Sequence, residues 1–371
     1  MNPDAITLRP TYVLIASKPH MSEALPVVAK IKRHSKAAFF KNTVAFAVDD
    51  KYFPFALFVA NQILEKELNR DFDITICLPN LASVGKDWLN SDIRFCEFEL
   101  SGIEKLPVGG LSLAAYHRLF LPSVFNNEYE KILYLDADTY INKPFITELF
   151  KKSSMDFVIA AAPDVANILA YSSPYNMLTN YLKQYQDKKH VYRNSGVLLI
   201  NTKKFNQENC LDKVINYALS NIENLTYHDQ TALNCALQDQ ISTLSFGLNW
   251  QVHDDINPLF SDFNPTIIHF IAENKPWVAF EGFSKNYQTE YHEFLGKNFP
   301  ELPIKVFSDS TYQKRLARPK YQNKIREFIS RETSRIRRWL KRNLGKQNKN
   351  TQLPKIKNSL TSMFEGVEFK I

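Results

Sequence analysis

The sequence predicts an α/β domain with a mostly parallel central sheet at residues 42–300, between an N-terminal extension at 1–41 and a C-terminal region at 301–371. Short continuous apolar runs alternate with segments of helical periodicity, which is typical of α/β proteins. The 371 residues, 44% of them hydrophobic, can bury a large core. Aspartates follow several apolar runs, as expected where the strands of a ligand-binding sheet end.

The elements follow one another in strand–helix order. The run at 43–48 leads into 53–68, where apolar residues recur at helical spacing, and the short apolar runs at 157–162 and 196–201 are typical of buried strands. The predicted strands are 43–48, 73–78, 93–98, 132–135, 157–162, 196–201 and 266–270. The predicted helices are 53–68, 111–120, 211–220 and 229–237.

Cysteine usage and hydropathy limit the cellular compartments in which the protein is expected. The four cysteines lack the spacing of a metal site or a disulfide framework, so we expect a reducing compartment. We expect no signal peptide and no membrane span, because the apolar runs are too short for either. The expected location is cytoplasmic, peripheral on the inner face of a membrane. The cysteines are Cys77, Cys96, Cys210 and Cys235.

The strongest chemical signal is the apolar strand at 132–135, which ends in the pair Asp136 and Asp138. Two like charges at a strand's end suit a divalent cation, whose natural companion is a diphosphate. The competing interpretation is a strand followed by an acidic turn.

Five fragments in order resemble glycosyltransferase family 8, the group with bacterial lipooligosaccharide galactosyltransferases and glycogenin. The resemblance covers roughly residues 42–283, and Asp229 with Gln230 matches a family pair inside it. The five matching fragments are 46–52, 115–119, 133–138, 194–201, and 269–270 together with 275–277.

The resemblance implies a single GT-A type nucleotide-sugar-binding domain and a retaining, metal-dependent transfer of a hexose, galactose or glucose, from a UDP-sugar. It implies that Asp136, Asp138 and His269 are the direct metal ligands. A site that mixes carboxylate oxygens with an imidazole nitrogen suits Mn²⁺ better than Mg²⁺. Such a cation neutralises the charge that develops on a departing diphosphate.

The same resemblance assigns residues to the donor nucleotide and its phosphates. Lys51 departs from the family, where Asn is common. For Arg118, in a predicted helix, the competing interpretation is a solvated or ion-paired surface residue. The residues expected to bind the donor are Ala47, Asp49, Tyr52, Arg118 and Lys275.

Four further residues match positions around the donor sugar and the acceptor, namely Asp164, Asn194, Asp229 and Gln230. Gln230 corresponds to the position that faces the anomeric carbon, and an amide is a poor nucleophile. Retention is therefore expected through same-face attack, in which the diphosphate takes the acceptor proton. Asn194 could instead be a turn or cap residue ahead of a strand.

A basic segment near the C-terminus carries most of the positive charge. Residues 311–350 hold fourteen Lys or Arg and two Glu, so this segment is +12 while the whole chain is +7. Residues 313–345 place apolar side chains on one helical face and cations on the other, which predicts binding to an anionic membrane surface. Packing on the body, dimerisation and nucleic-acid binding are the alternatives, and nucleic acid is not expected as a partner.

The expected acceptor is a glycan or glycolipid, such as lipopolysaccharide core. Two other functions compete. A haloacid-dehalogenase-like phosphohydrolase also has an Asp-x-Asp pair after a strand. Its motif, however, has Thr or Val at the position where this chain has Tyr140. A non-catalytic membrane or glycan adaptor with a transferase fold is the second alternative.

Overall fold

The computed structural model describes residues 27–104, 106, 113–169, 191–225, 227–272, 275–279, 282–302 and 349–365. Eight strands form the central sheet in the order β1-β4-β3-β2-β5-β8-β7-β9. They are β1 (Val28–His34), β2 (Asn42–Ala47), β3 (Asp73–Leu78), β4 (Ile93–Ser101), β5 (Lys131–Leu135), β7 (Ile159–Pro163), β8 (Arg193–Asn201) and β9 (Ile241–Thr243). The predicted α/β class is confirmed, and each predicted strand is present with bounds within three residues.

The sheet is mixed, and four neighbouring strands form its largest parallel part. Strands β4, β3, β2 and β5 are neighbours and run parallel. Strand β8 runs antiparallel to both β5 and β7. As a result the beginning of β8 lies at the same edge of the sheet as the carboxyl ends of β2 and β5.

Helices cover both faces of the sheet. Helix α1 buries nearly its whole length because apolar residues occupy most of its positions, and Pro54 fits its first turn. The predicted helix at 111–120 begins later than expected, since Leu113–Tyr116 forms a 3₁₀ turn ahead of α3. The helices are α1 (Phe53–Lys66), α2 (Lys86–Leu89), α3 (His117–Val124), α4 (Ile146–Lys152), α5 (Ala166–Leu169), α6 (Thr202–Gln207), α7 (Cys210–Ser220), α8 (His228–Ala236), α9 (Phe260–Phe263), α10 (Gln288–Asn298) and α11 (Lys349–Glu365).

A second, three-stranded sheet brings a distant part of the chain to the end of β5. It has the order β10-β11-β6, with β6 (Thr139–Ile141) directly after Asp138, β10 (Trp250–Gln251) and β11 (Ile267–His269). Strand β11 pairs antiparallel with β6, and His269 is the partner of Thr139. This register carries His269 to the aspartate pair.

Two terminal segments join the body. Within the extension predicted for 1–41, strand β1 forms the edge of the central sheet and pairs antiparallel with β4. Helix α11 buries Ile356 and Leu360 in a cluster with Trp250, and its Lys357 forms an ion pair with Asp262 at 2.7 Å.

The basic segment at 313–345 lies outside the described residues, so its predicted helix stays a prediction. Among the helices that the structure describes, none has the length and apolar character needed to cross a bilayer.

Candidate active site

A cavity of about 780 Å³ opens at the sheet edge where β2 and β5 end and β8 begins. Most of the predicted site residues line it, although they come from segments more than 200 residues apart in the chain. Asp164 is the exception and lies behind the wall. The predicted residues that line the cavity are Ala47, Asp49, Tyr52, Arg118, Asp136, Asp138, Asn194, Asp229, Gln230, His269 and Lys275.

The two aspartates after β5 converge with His269. One potential ligand atom from each of the three residues lies within 4.8 Å of the others. His269 Nε2 is 3.2 Å from Asp138 Oδ1 and 3.8 Å from Asp136 Oδ2. The turn holds this geometry because Thr139 donates from its backbone and its hydroxyl to the Asp136 carbonyl, while Phe270 N donates to the Asp138 carbonyl.

The donor set fits a divalent cation. Asp138 Oδ1 is buried and accepts no well-aligned hydrogen bond from the described part of the chain. A buried carboxylate oxygen without a donor is costly unless a cation meets it. Two carboxylates and one imidazole are ligands that suit Mn²⁺. The geometry therefore suits a metal ion at this point, coordinated by all three side chains.

Lys275 completes the charge balance at this end of the cavity. Its ammonium group forms an ion pair with Asp138 and donates to the Phe270 carbonyl. Burial alone would raise the pKa of Asp138, but the Lys275 ammonium holds it well below its usual range. Asp138 is therefore a carboxylate at physiological pH.

Gly196 makes the close approach of His269 possible. A Cβ atom at this position would lie 2.2 Å from His269 Cε1 and 2.8 Å from Asp136 Oδ2. Any side chain larger than hydrogen would therefore push the imidazole or the carboxylate away. The prediction from sequence did not include Gly196, although a glycine inside an apolar strand is a signal of close approach.

Arg118 is buried and joins the two ends of the cavity. It forms an ion pair with Asp136 at 3.0 Å and lies 3.5 Å from Asp229 Oδ2. It also donates to the Ala115 and Ser195 carbonyls at 2.9 and 2.6 Å. Burial would lower the pKa of Arg118, but Asp136 and its other neighbours raise it, so the guanidinium stays charged. The alternative interpretation of Arg118, as a solvated or ion-paired surface residue, is therefore correct only in part. Arg118 is ion-paired, but it is buried beside the cavity and is not at the surface.

Asp229 lies at the other end of the cavity, in the first turn of α8. Burial raises its pKa to about 6, although Arg118 opposes this rise. The Ser195 hydroxyl donates to Asp229 at 3.3 Å. Asp229 therefore changes its protonation state near neutral pH, unlike Asp138.

One wall of the cavity is built by the turn between β2 and α1. Asp49 Oδ1 accepts a hydrogen bond from Tyr52 N at 3.0 Å, which fixes the turn and leaves Asp49 at the cavity wall. Burial, together with nearby carboxylates, raises the pKa of the Tyr52 phenol, so the ring stays neutral. Lys51 is exposed, with its ammonium 5.7 Å from the centre of the Tyr52 ring.

A buried network of amides lies behind the cavity. Asp164 Oδ2 accepts from Asn194 Nδ2 at 3.1 Å and from Gln230 Nε2 at 3.0 Å. Gln230 Oε1 accepts from Ser195 N at 3.0 Å, so both ends of this amide are occupied. Asn194 Oδ1 accepts from Asn249 Nδ2, and no sequence pattern singles out Asn249. A single Asn in a loop has no spacing that marks it as functional.

The fold and the site together define an α/β protein whose main polar cavity lies at the carboxyl ends of its strands, the usual place for a ligand in this class. The sequence model of glycosyl transferase family 8 matches residues 43–280. The chain therefore belongs to glycosyl transferase family 8, and the family resemblance inferred from sequence is confirmed.

Relatives from several bacteria resemble this chain over part of their length. Glycosyltransferase GlyE of Streptococcus pneumoniae is 27% identical over 210 residues, 54% of this chain and 45% of GlyE. Lipopolysaccharide glucosyltransferase WaaO of Escherichia coli is 30% identical over 179 residues, 44% of this chain and 49% of WaaO. The chain spans about half the length of these curated relatives.

Solved structures agree with the fold. A galactosyltransferase LgtC structure with donor and acceptor sugar analogs superposes with a TM-score of 0.54 at 19% identity, covering 69% of this chain and 96% of LgtC. The apo WbbM bifunctional glycosyltransferase gives 0.53 at 18% identity, covering 72% of this chain and 51% of WbbM. The predicted GT-A type domain is thereby confirmed.

Proposed function

We propose that this protein is a retaining, metal-dependent hexosyltransferase. It would move galactose or glucose from a UDP-sugar to a glycan acceptor, and a lipid-linked oligosaccharide such as lipopolysaccharide core is the acceptor we favour. The observation that carries the proposal is the convergence of Asp136, Asp138 and His269 at the cavity, with one carboxylate oxygen lacking a donor among the described residues. Membership of a glycosyltransferase family supplies the reaction class.

Asp136, Asp138 and His269 would hold the cation, and the imidazole nitrogen favours Mn²⁺ over Mg²⁺. When bound, the cation supplies the positive charge that a departing nucleoside diphosphate requires. Lys275 lies beside Asp138 and would place a second positive charge near the same phosphates. Arg118 is committed to Asp136 and the Ser195 carbonyl, so its first effect is to orient the aspartate.

The turn after β2 would hold the nucleotide. Ala47, Asp49 and Tyr52 lie together on the cavity wall. The second carboxylate oxygen of Asp49 can accept from a ring N–H of uracil, and the neutral Tyr52 ring can stack on the base. Both features suit a uridine nucleotide.

Gln230 and Asp229 would position the donor sugar. The Gln230 amide is bonded at both ends, to Asp164 and to Ser195 N, so it is rigid and is a poor nucleophile. Asp229 is held by Ser195 and Arg118. We therefore favour same-face attack, in which the acceptor hydroxyl gives its proton to the leaving phosphate. Isolation of a glycosyl adduct on a side chain of the wild-type enzyme would count against this step.

The proposed acceptor and location are supported by the names of two relatives and by the basic segment. WaaO and the Salmonella typhimurium relative, a lipopolysaccharide 1,3-galactosyltransferase, carry lipopolysaccharide in their names. The cationic segment at 313–345 would bring a cytoplasmic enzyme to the anionic inner face of the membrane, where lipid-linked acceptors are found.

The membrane proposal can be tested by vesicle sedimentation. Replacing five cations of this segment by Gln, with helix α11 left intact, should release the protein from anionic vesicles. Sedimentation with neutral vesicles is the control, and unchanged binding to anionic vesicles contradicts the proposal. The five positions are Arg331, Arg335, Arg338, Lys341 and Arg342.

The test of function is a donor screen. Purified protein with Mn²⁺ is incubated with a panel of nucleotide sugars, and hydrolysis is followed with and without chelator. Turnover of a UDP-hexose that the chelator abolishes is the expected result. Phosphate release from sugar phosphates without a UDP-sugar requirement would favour the dehalogenase-like alternative, against which family membership argues. UDP-sugar binding without turnover, with or without an acceptor, would favour the adaptor.

A further inference from the structure

We propose that Asn249 is a positioning residue that keeps the metal-facing nitrogen of His269 free of a proton. The inference deepens the proposed function, since it concerns the same metal-binding site. Asn249 does not line the cavity; it lies beside His269 because β10, which begins at the next residue, pairs with β11. It reaches the site only through the imidazole.

The side-chain amide of Asn194 has one allowed orientation. Its Oδ1 accepts from the backbone N–H of Gly196 at 2.9 Å, and a backbone N–H can only donate. Its Nδ2 donates to Asp164 at 3.1 Å, and a carboxylate can only accept. Both contacts require the same placement of oxygen and nitrogen, so the amide cannot be reversed without losing both.

The orientation of Asn194 dictates that of Asn249. Asn249 Nδ2 lies 2.9 Å from Asn194 Oδ1, so it must donate there. Its other end, Oδ1, then faces His269 Nδ1 at 2.9 Å. An amide oxygen can only accept, so Nδ1 must carry the hydrogen. In the neutral imidazole the lone pair is then on Nε2, the atom directed at Asp136 and Asp138.

Burial makes this arrangement obligatory. Asn249 is 0% exposed, and Asn194, Asp164 and His269 are also buried. Water cannot replace a lost partner without a new cavity, so a reversed amide would leave buried donors facing donors. A lone pair on Nε2 opposite carboxylate oxygens is repulsive, and a cation between them removes the repulsion. The network therefore prepares His269 as a metal ligand before any metal binds.

The first test is direct and needs no variant. Histidine is labelled with ¹⁵N, and NMR of the metal-free protein reports which ring nitrogen of His269 carries hydrogen, with His269→Gln for assignment. We expect the Nδ1–H tautomer. An Nε2–H tautomer overturns the proposal, whatever the enzyme's activity.

The second test is Mn²⁺ affinity by calorimetry. Asn249→Ala removes the acceptor and should weaken Mn²⁺ binding by about 10- to 100-fold. Asn249→Asp keeps an acceptor for Nδ1–H and should restore the Nδ1–H tautomer and most of the affinity. A merely structural role predicts the opposite, because a buried carboxylate opposite Asn194 Oδ1 would be the more disruptive change.

A matched control is Asn201→Ala. Asn201 is equally buried, but it caps α6 at the far end of β8, so its loss should leave Mn²⁺ affinity unchanged. Equal affinity of wild type and Asn249→Ala overturns the proposal. Absence of Mn²⁺ binding by the wild type would instead count against the proposed function, while the tautomer measurement would still decide the role of Asn249.

Discussion

The two ends of the cavity hold buried carboxylates with opposite behaviour. Asp138, at the end where we propose the metal (the metal end), has a pKa well below its usual range, whereas Asp229, at the end where we propose the donor sugar (the sugar end), has a pKa of about 6. Both are desolvated, and burial alone would raise both values. The difference comes from the neighbouring cations. Lys275 forms an ion pair with Asp138, whereas Arg118 lies closer to Asp136 than to Asp229.

The two ends of the cavity suit two different tasks, binding a cation and positioning a sugar hydroxyl. A ligand for a divalent cation must be ionised at every working pH, and the metal end ensures this with its own lysine. A residue that positions a sugar hydroxyl can donate or accept a hydrogen bond, so a carboxyl group near its pKa is acceptable there. The unequal distribution of cationic side chains therefore indicates at which end of the cavity a metal ion would bind.

The largest effect is expected from Asp138→Asn. The amide cannot replace the carboxylate as a hard ligand, so turnover of the UDP-hexose found in the donor screen should fall by about 10³-fold. Mn²⁺ should also cease to raise the melting temperature of the variant. Asp262→Asn is the control, because Asp262 forms an ion pair with Lys357 and does not line the cavity. Turnover above a tenth of the wild-type rate would break the distinction between the two ends.

Asp229→Asn should have the next largest effect, on stability. The folded protein binds the Asp229 proton more tightly than the unfolded chain does, because its pKa rises from 3.8 to about 6. Its contribution to stability is therefore present below pH about 4 and is lost as the pH rises through about 6. At pH 8 the variant's free energy of unfolding should exceed that of the wild type by up to about 3 kcal/mol.

Urea denaturation of the metal-free protein at pH 5 and pH 8 measures this difference. The gap between variant and wild type should widen with pH. Asp156→Asn, whose side chain is 95% exposed, should show no gap at either pH. If Asp229→Asn were equally destabilised at both pH values, the Asp229 side chain would be needed for packing. Its ionisation would then not be the source of a loss of stability.

Gly196→Ala should damage the metal end and spare the sugar end. The added methyl group meets His269 and Asp136 on a central strand that cannot move away. We expect a loss of about 1–3 kcal/mol in stability and weaker Mn²⁺ binding. Gly296→Ala is a matched control, because its Cβ would meet no atom within 4 Å of the described structure. Unchanged Mn²⁺ affinity in Gly196→Ala would mean that His269 is not needed at its present distance.

Much of this arrangement was predictable because it is local in the sequence. The strand that ends at Leu135 places Asp136 and Asp138 at the sheet edge without any knowledge of the rest of the chain. Helices with strong periodicity, such as α1 and α7, were found almost to the residue. The direction of β8 was not predictable, since an apolar run reads the same in either orientation.

The contacts that complete the site depend on pairing between distant segments. His269 and Lys275 were selected only through the family resemblance, and the register of β11 on β6 is what carries them to Asp138. Asn249 acts through a packing contact that no motif encodes, whereas Gly196 carries one signal in the sequence, a glycine inside an apolar strand. Helix α11 was not predicted either, and Leu360 is fully buried against the segment that carries Asn249.

The smallest effect is expected from Lys51→Ala, which sharpens the contrast between two lysines on one cavity wall. Lys275 is mostly buried and bonded to Asp138, whereas Lys51 is exposed at the end where we propose the nucleotide, with its ammonium over the Tyr52 ring and 5.7 Å from the ring centre. An exposed cation–π contact contributes about 0.5–1 kcal/mol, so KM for the UDP-hexose should rise less than about fivefold while kcat stays unchanged. Lys275→Ala, measured beside it, should lower kcat, because its charge faces the group that departs. If Lys51→Ala lowered kcat as strongly as Lys275→Ala, the leaving phosphates would lie at the Tyr52 end, and the positions of metal and nucleotide would have to be exchanged.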